Sequence, residues 1–77
     1  MSYFLLVYNR SNGALELTEF GQDEGARASR ERFERELAER GHPDVEVVIL
    51  QSPSRAALER THARYFKSVS ELTATLL

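Results

Sequence analysis

The chain has 77 residues, 42% of them hydrophobic and 29% charged, which is the composition of a folded globular protein of one domain. Its formal net charge of −2 argues against a general affinity for nucleic acid or anionic lipid, because both require a basic field. The absence of cysteine excludes disulfides and thiolate zinc sites.

Two predicted strands and a tight turn open the chain. Residues 3–8 are aromatic and aliphatic throughout, which is typical of a strand with both faces buried. Residues 14–20 alternate apolar and polar side chains, which indicates a half-buried strand. Between them lies Asn12-Gly13, the strongest short-range hairpin signal, and we expect both residues to take the positive φ of such a turn.

The hairpin pattern leaves the register open, because a shift of one residue exchanges the faces of every side chain. A loop with an even number of residues gives Leu15 and Leu17 three neighbours on their face: Phe4, Leu6 and Tyr8. A loop with an odd number gives them the other three: Tyr3, Leu5 and Val7. In both cases the remaining apolar face of the first strand must be covered by the last helix, by a partner chain or by a ligand.

The next element is a charged helix. Residues 24–40 follow Asp23, a favourable N-cap, and end before Gly41, which we expect to terminate the helix in the left-handed conformation. The helix is rich in opposite charges four residues apart, and each such pair contributes roughly 0.2–0.5 kcal/mol. Few apolar side chains remain to rest on the sheet, and they are mainly Ala26, Phe33 and Leu37.

A third strand and a long helix complete the predicted fold. Residues 45–50 are rich in β-branched side chains and indicate a strand. Ser52 is a candidate N-cap with Pro53 at the first helical position, and no further helix breaker occurs before Leu77. We therefore predict that residues 1–77 form a single α+β domain of order ββαβα, with a three-stranded antiparallel sheet of strand order 2-1-3 and two helices, the C-terminal one long.

The predicted last helix carries an apolar stripe that we expect to be an interaction surface. At about 1.5 Å per residue the helix would span roughly 36 Å, whereas a six-residue strand covers about 20 Å. The second half of the stripe then either folds back on its own domain or contacts a partner, most simply in a two-fold homodimer. The residues of this surface are Leu58, His62, Tyr65, Phe66, Val69, Leu72 and Leu76.

An anion site is the first alternative function. A helix N-terminus offers free backbone N–H groups and partial positive charge, which suit a small anion or a nucleotide. The residues of this candidate site are Ser52, Ser54 and Arg55. One imidazole with two carboxylates, as in His42, Asp44 and Glu46, is a poor zinc set, so we predict no metal site and no cofactor.

Single-stranded nucleic acid is the second alternative. Aromatic side chains on an open sheet can stack on bases, and the predicted strands carry Tyr3, Phe4, Tyr8 and Phe20. Such platforms are usually ringed by basic residues, whereas here glutamates interleave with the strands. We therefore expect these aromatic residues to form a core or an interface, and nucleic acid not to be a partner.

No recognisable catalytic motif occurs in the sequence, which lacks G-x-S-x-G, a cysteine nucleophile and H-E-x-x-H. The longest apolar run, residues 4–8, is far too short to cross a membrane, and the N-terminus lacks the features of a signal peptide. We therefore predict a soluble, cytoplasmic, non-catalytic protein-interaction or regulatory module. It is expected to form a homodimer through its C-terminal helix and spare sheet face, without a membrane partner.

Overall fold

A computed structural model describes residues 1–66 of the chain. In chain order its elements are β1 (Ser2–Asn9), β2 (Leu15–Phe20), a 3-10 turn (Gln22–Glu24), α1 (Gly25–Ala38), β3 (Val45–Ser52), α2 (Arg55–Thr61) and a second 3-10 turn (Ala63–Tyr65). β1 lies in the centre of the sheet and pairs antiparallel with both β2 and β3. The predicted α+β fold and the strand order 2-1-3 are confirmed.

The hairpin between β1 and β2 has the even-numbered loop. Tyr8 pairs with Leu15, with the six residues 9–14 between them, so Tyr8, Leu6 and Phe4 share the face of Leu15 and Leu17. Gly13 has a φ of 76°, as expected.

The expectation of a positive φ at Asn12 was wrong, since within residues 1–66 only glycines adopt one. The Asn12 side-chain oxygen instead accepts a hydrogen bond from the amide of Ala14 at 2.8 Å. Asparagine thus contributes to the turn through its side chain, as it commonly does in loops. The left-handed conformation is left to Gly13.

Each face of the sheet carries a hydrophobic core, as the wholly apolar first strand predicts. On one face, named here the α2 face, the buried residues are Phe4, Leu6, Tyr8, Leu58 and Tyr65. On the other, the α1 face, they are Leu5, Phe20 and Ala28. The chain therefore covers both faces of β1 itself, using α1 on one side and α2 with the turn after it on the other.

Helix α1 presents a different side to the sheet than the sequence predicts. Ala28 is fully buried, whereas Phe33 is 60% and Leu37 47% exposed. Gly25 lies so close to Tyr3 that a β-carbon there would stand 3.1 Å from the tyrosine ring. Because small residues let the helix approach the sheet this closely, the large side chains point away, and the expectation that they rest on the sheet was wrong.

The ends of α1 also differ in part from the prediction. Asp23 lies inside the 3-10 turn and is not the N-cap. The carboxylate of Glu24 accepts the amide of Gly21 at 2.8 Å and satisfies that backbone group instead. Ala26, expected to face the sheet, is exposed. At the other end α1 stops at Ala38 with Glu39 as its C-cap, two residues before the predicted end. Gly41 has the expected positive φ, 91°, but lies in the loop two positions beyond the cap.

Helix α2 begins two residues later than predicted. Ser54 is its N-cap, with extended backbone angles and a side-chain oxygen that accepts the amide of Ala57 at 3.1 Å. Ser52 instead remains in β3, where it pairs with Ser2 at the end of the ladder. Because the strand continues this far, Pro53 precedes the helix rather than opening it.

Helix α2 ends at Thr61, so the prediction of one long helix was wrong over residues 62–66. The Thr61 hydroxyl bonds the carbonyl of Ala57 at 3.1 Å, a contact with the preceding turn that disfavours continuation. His62 leaves helical geometry, with φ −128° and ψ 46°. The chain then turns back, and the ring of Tyr65 packs edge-on against Tyr8, with centroids 5.2 Å apart.

Candidate interaction surface

The described half of the predicted helical stripe belongs to the core of the domain itself. Leu58 is fully buried and Tyr65 is 5% exposed, and Phe66 packs against them. His62 is half-buried, stacks on Tyr65 with centroids 6.4 Å apart, and has Nδ1 2.9 Å from the Thr61 hydroxyl. The other predicted members lie outside the described residues: Val69, Leu72 and Leu76.

The three residues of the candidate anion site lie together, but their side chains bond within the chain. Buried Ser52 donates its hydroxyl to the carbonyl of Ser54 at 3.0 Å, and Ser54 caps α2. The Nε of Arg55 is 3.2 Å from the carboxylate of Glu59, and its guanidinium lies 5.9 Å from the ring centroid of Phe66. These contacts account for an arginine at this position without a bound anion.

The aromatic residues of the strands are core residues rather than a platform. Phe4 is fully buried, Phe20 is 2% exposed and Tyr8 8% exposed. Tyr3 is partly buried and packs against the core on the α1 face. Their rings are therefore covered by the domain, which leaves no open aromatic surface on the described sheet for bases to stack on.

A charged cluster joins the turn after α2 to β3. The guanidinium of Arg64 bonds the carboxylate of Glu46 and lies 4.1 Å from the ring centroid of Tyr65, whose hydroxyl donates to the same carboxylate at 3.3 Å. The Arg64 hydrogen bond lowers the pKa of Glu46, and Glu46 raises the pKa of Arg64. Burial raises the pKa of Tyr65. Eighteen residues separate the charged partners, so no local pattern predicts this cluster.

A broad cleft of about 380 Å³ lies between the hairpin loop and the connection from α1 to β3. It brings Ser11 and His42 together with Glu39, a set the sequence does not suggest. His42 Nδ1 is 3.2 Å from the Glu39 carboxylate, but the hydroxyl of Ser11 donates to Asn9 at 2.6 Å. The Ser11 hydroxyl therefore bonds Asn9 rather than the imidazole of His42.

β3 is an edge strand whose outer side has no neighbouring strand within residues 1–66. At the end of β1, the amide of Arg10 donates to the carbonyl of Asp44 on the β3 side, whereas the amide of Asn9 donates to the carbonyl of Ala14 on the β2 side. The even-numbered residues of β1 therefore form their hydrogen bonds toward β3. Hydrogen-bonded pairs alternate along an antiparallel ladder. The odd-numbered residues of β3 therefore direct their peptide groups outward, namely Val47, Ile49 and Gln51.

The outer edge of β3 lacks the features that usually protect edge strands. Charged side chains and proline commonly block such edges against pairing with another chain. From Val47 to Leu50 the strand has neither, and its one charged residue, Glu46, is bonded to Arg64. Residues 45–50 are all partly exposed. Within residues 1–66, nothing therefore blocks the outer side of β3 against a further strand.

The exposed apolar side chains of α1 belong to a helix that packs beside this edge strand. Helix α1 packs mainly on β1 and β3. Its β2 side is polar, since Arg35 bonds Glu16 at 2.6 Å and the carboxylate raises the pKa of the arginine. Phe33 and Leu37 point away from the sheet. We name the β3–α1 surface as these two side chains together with the outward peptide groups of Val47, Ile49 and Gln51.

Neither a protein-family model, nor a curated protein, nor a solved structure matches the chain. Within residues 1–66, no helix combines the length and apolar character needed to cross a membrane. The same residues contain no group of three histidine, cysteine or acidic side chains placed to hold a metal ion.

Proposed function

We propose that the chain is a non-catalytic protein-interaction module that self-associates through the β3–α1 surface. The observation that carries this proposal is the exposure of Phe33 and Leu37 on a helix whose Gly25 and Ala28 face the sheet. Exposed apolar side chains that lie together beside an open strand edge are characteristic of interaction sites. The proposal moves the predicted self-association from the C-terminal stripe to α1 and β3.

Energetic considerations support association. A chain of this length buries only about 60% of the surface that its unfolded form exposes, and small domains often gain stability by oligomerisation. Burying a large apolar side chain contributes about 1.5–3 kcal/mol. Phe33 and Leu37 are already about half covered in the monomer, so covering the rest in both copies of a dimer would supply about half of this contribution at each of four side chains.

The chemistry of the cleft supports a non-catalytic role. The hydroxyl of Ser11 is committed to Asn9, and the side chain of His42 is 65% exposed. An imidazole exposed to water lacks the dry surroundings that catalytic bases use. The interaction surface is thus the better-supported feature of the domain.

We also propose a cytoplasmic location. A fold without cysteine does not depend on an oxidising compartment. Fractionation of cells that produce the chain should recover it with cytosolic markers. Recovery with membrane or secreted markers would overturn this part of the proposal.

Sedimentation velocity of the full chain over a range of concentrations tests self-association. We expect the mass to rise from 8.8 kDa toward twice that value at high micromolar concentration. Phe33→Glu with Leu37→Glu should remain a folded monomer, as judged by circular dichroism, because both side chains are exposed. Phe33→Ala alone should weaken the dimer by about tenfold or more, which corresponds to roughly 1.4 kcal/mol.

Thr18→Glu provides the matched control, since Thr18 is exposed on the opposite edge strand β2. This variant should associate like the wild type. A wild-type chain that stays monomeric at every concentration would contradict the proposal. Association of the double variant with unchanged affinity would exclude the β3–α1 surface as the site.

A further inference from the structure

We propose that the occupant of the β3–α1 surface is a second copy of this chain, whose β3 pairs antiparallel with β3 about a two-fold axis at Val48. The two sheets then form one six-stranded sheet, and the two α1 helices lie side by side across the axis with Phe33 between them. This inference rests on the proposed function, because it gives the geometry of the self-association proposed above.

Hydrogen bonding limits the registers that two copies of β3 can adopt. The outward peptide groups belong to odd-numbered residues, so a ladder forms where odd-numbered residues of both copies oppose one another. With the axis at Val48, Val47 opposes Ile49 of the second copy, which satisfies this requirement. The same register places Val45 opposite Gln51, so the ladder uses nearly the whole strand.

The charge on β3 is compatible with this pairing. Glu46, the one charged residue of the strand, bonds Arg64 within its own chain. In the proposed register Glu46 lies opposite Leu50 of the second copy. The two Glu46 positions are then about 13 Å apart along the strands, which is beyond the screening length of about 8–10 Å at physiological salt.

Two contacts locate α1 along the sheet. Near the start of the helix, Gly25 lies against the ring of Tyr3, and Tyr3 pairs with Gln51 of β3. Near its end, Arg35 bonds Glu16 of β2. Helix α1 therefore runs back along the sheet, from the end of β3 toward its beginning.

The second contact places Phe33 beside the middle of β3. Glu16 is opposite Val7 on β1, and Val7 is opposite Val47 on β3. Phe33 lies two residues before Arg35. This separation is about 3 Å along the helix, which equals the length of about one residue of strand. Phe33 is thus level with Val48, so an axis at Val48 brings the two phenylalanines together.

The lateral position of α1 suits a helix pair across the same axis. Strands lie about 4.8 Å apart, so a helix above β1 and β3 is roughly 5 Å from the axis and about 10 Å from its copy. This is close to the packing distance of 8–10 Å between helices. At about 100° per residue, Phe33 lies about 140° around the helix axis from Ala28, which faces the sheet. This rotation is in the direction opposite to that of Arg27, whose guanidinium lies over Phe20 of β2. Phe33 therefore leans toward the second copy.

An isotope-filtered NMR experiment tests the register on an equal mixture of labelled and unlabelled full-length chain. We expect a cross-peak between the Hα atoms of Glu46 and Leu50 in different copies, because opposed Cα atoms of such a pair are about 4.5 Å apart. Within one copy these residues lie about 13 Å apart along β3, so the cross-peak identifies the contact between copies. A cross-peak from Glu46 to Ser52 instead would place the axis at Ile49 and overturn the proposal.

Amide hydrogen exchange gives a second readout without any substitution. Raising the concentration into the dimer range should slow exchange at Val47, Ile49 and Gln51 by about tenfold or more. Leu17 and Glu19, on the outer edge of β2, should exchange as before. Slow exchange of the β3 amides at every concentration in a monomer would mean that the chain itself covers this edge, and would overturn the inference.

The two proposals fail in different ways. A dimer that Phe33→Glu with Leu37→Glu disrupts, but that shows neither the cross-peak nor slowed exchange at the β3 edge, leaves the proposed function intact and overturns the strand pairing. Slowed amide exchange at the β2 edge would also overturn the proposed pairing of the two β3 strands. A chain that remains monomeric with rapidly exchanging β3 amides overturns both.

Discussion

Arg64 donates to both carboxylate oxygens of Glu46, at 3.4 and 3.2 Å, and so joins the turn after α2 to the edge strand β3. The Glu46 side chain is 25% exposed and that of Arg64 57%, so water weakens this ion pair. The same pair occupies the strand's one charged side chain, which leaves the edge of β3 neutral. The Arg64–Glu46 ion pair therefore both attaches the turn after α2 to β3 and offsets the charge at the edge of this strand.

The Glu46 carboxylate makes the free energy of unfolding depend on pH. Its pKa in the fold lies below the ordinary value of 4.5, mainly because Arg64 hydrogen-bonds to the charged form. A carboxyl group with a lowered pKa stabilises the fold above the unfolded pKa, and this contribution is lost as pH falls through the folded pKa. We expect Glu46→Gln to lower the free energy of unfolding by about 1 kcal/mol at neutral pH and to have little effect well below pH 4.5.

Denaturant unfolding of both proteins from neutral to acidic pH checks this prediction. Glu24 also has a lowered pKa, through the amide of Gly21, so only the difference between wild type and Glu46→Gln isolates Glu46. Glu19→Gln, at an exposed position on β2, is the control and should follow the wild type at all pH values. A difference that stays constant from neutral pH to well below 4.5 would rule out the linkage.

The ring of Tyr65 should contribute more to the free energy of unfolding than its hydroxyl does. The ring is 5% exposed and packs on Tyr8, whereas the hydroxyl bonds the partly exposed Glu46 carboxylate at 3.3 Å. We expect Tyr65→Ala to reduce the free energy of unfolding by about 3–5 kcal/mol and Tyr65→Phe by about 1 kcal/mol. Thermal unfolding would show the two shifts, and equal losses in both variants would contradict this division.

Ser54 should behave as the N-cap of α2. Its side-chain oxygen accepts a hydrogen bond from the amide of Ala57 at 3.1 Å, so Ser54→Ala should lower the free energy of unfolding by about 1 kcal/mol. Ser54→Asp is the matched variant and should restore stability to within about 0.5 kcal/mol, because aspartate caps helices equally well. Denaturant midpoints would measure both effects. A neutral Ser54→Ala substitution would indicate that another residue caps the helix.

The features predictable from sequence are those that depend on neighbours along the chain. The unbroken apolar run of residues 3–8 predicts a central strand with two covered faces, and the Asn12-Gly13 turn predicts the hairpin. Together with β-branched residues 45–50, they lead to the observed strand order. The register was not determined, because both faces of β1 are apolar and either loop length satisfies the pattern.

The errors concern positions where contacts across the fold override local preference. Ser52 and Pro53 have favourable types for a helix start, but pairing with β1 extends β3 through Ser52. Continuation of α2 has no breaker residue to oppose it, yet burial of Tyr65 against Tyr8 requires the chain to turn. The exposure of Phe33 and Leu37 has the same origin, because Gly25 and Ala28 pack against the sheet and the larger apolar side chains of α1 face outward.

The orientation of α1 can be tested with two alanines that lie two residues apart on opposite sides of the helix. Ala28 is fully buried on the sheet, so Ala28→Leu should overpack the core and lower the free energy of unfolding by about 1–3 kcal/mol. Ala26 is exposed, so Ala26→Leu should change it by less than about 0.5 kcal/mol. Denaturant unfolding at low concentration measures both variants on the same helix with the same substitution. The orientation inferred from sequence, with Ala26 on the sheet, predicts the reverse order, and that outcome would also remove the case for Phe33 as an exposed contact.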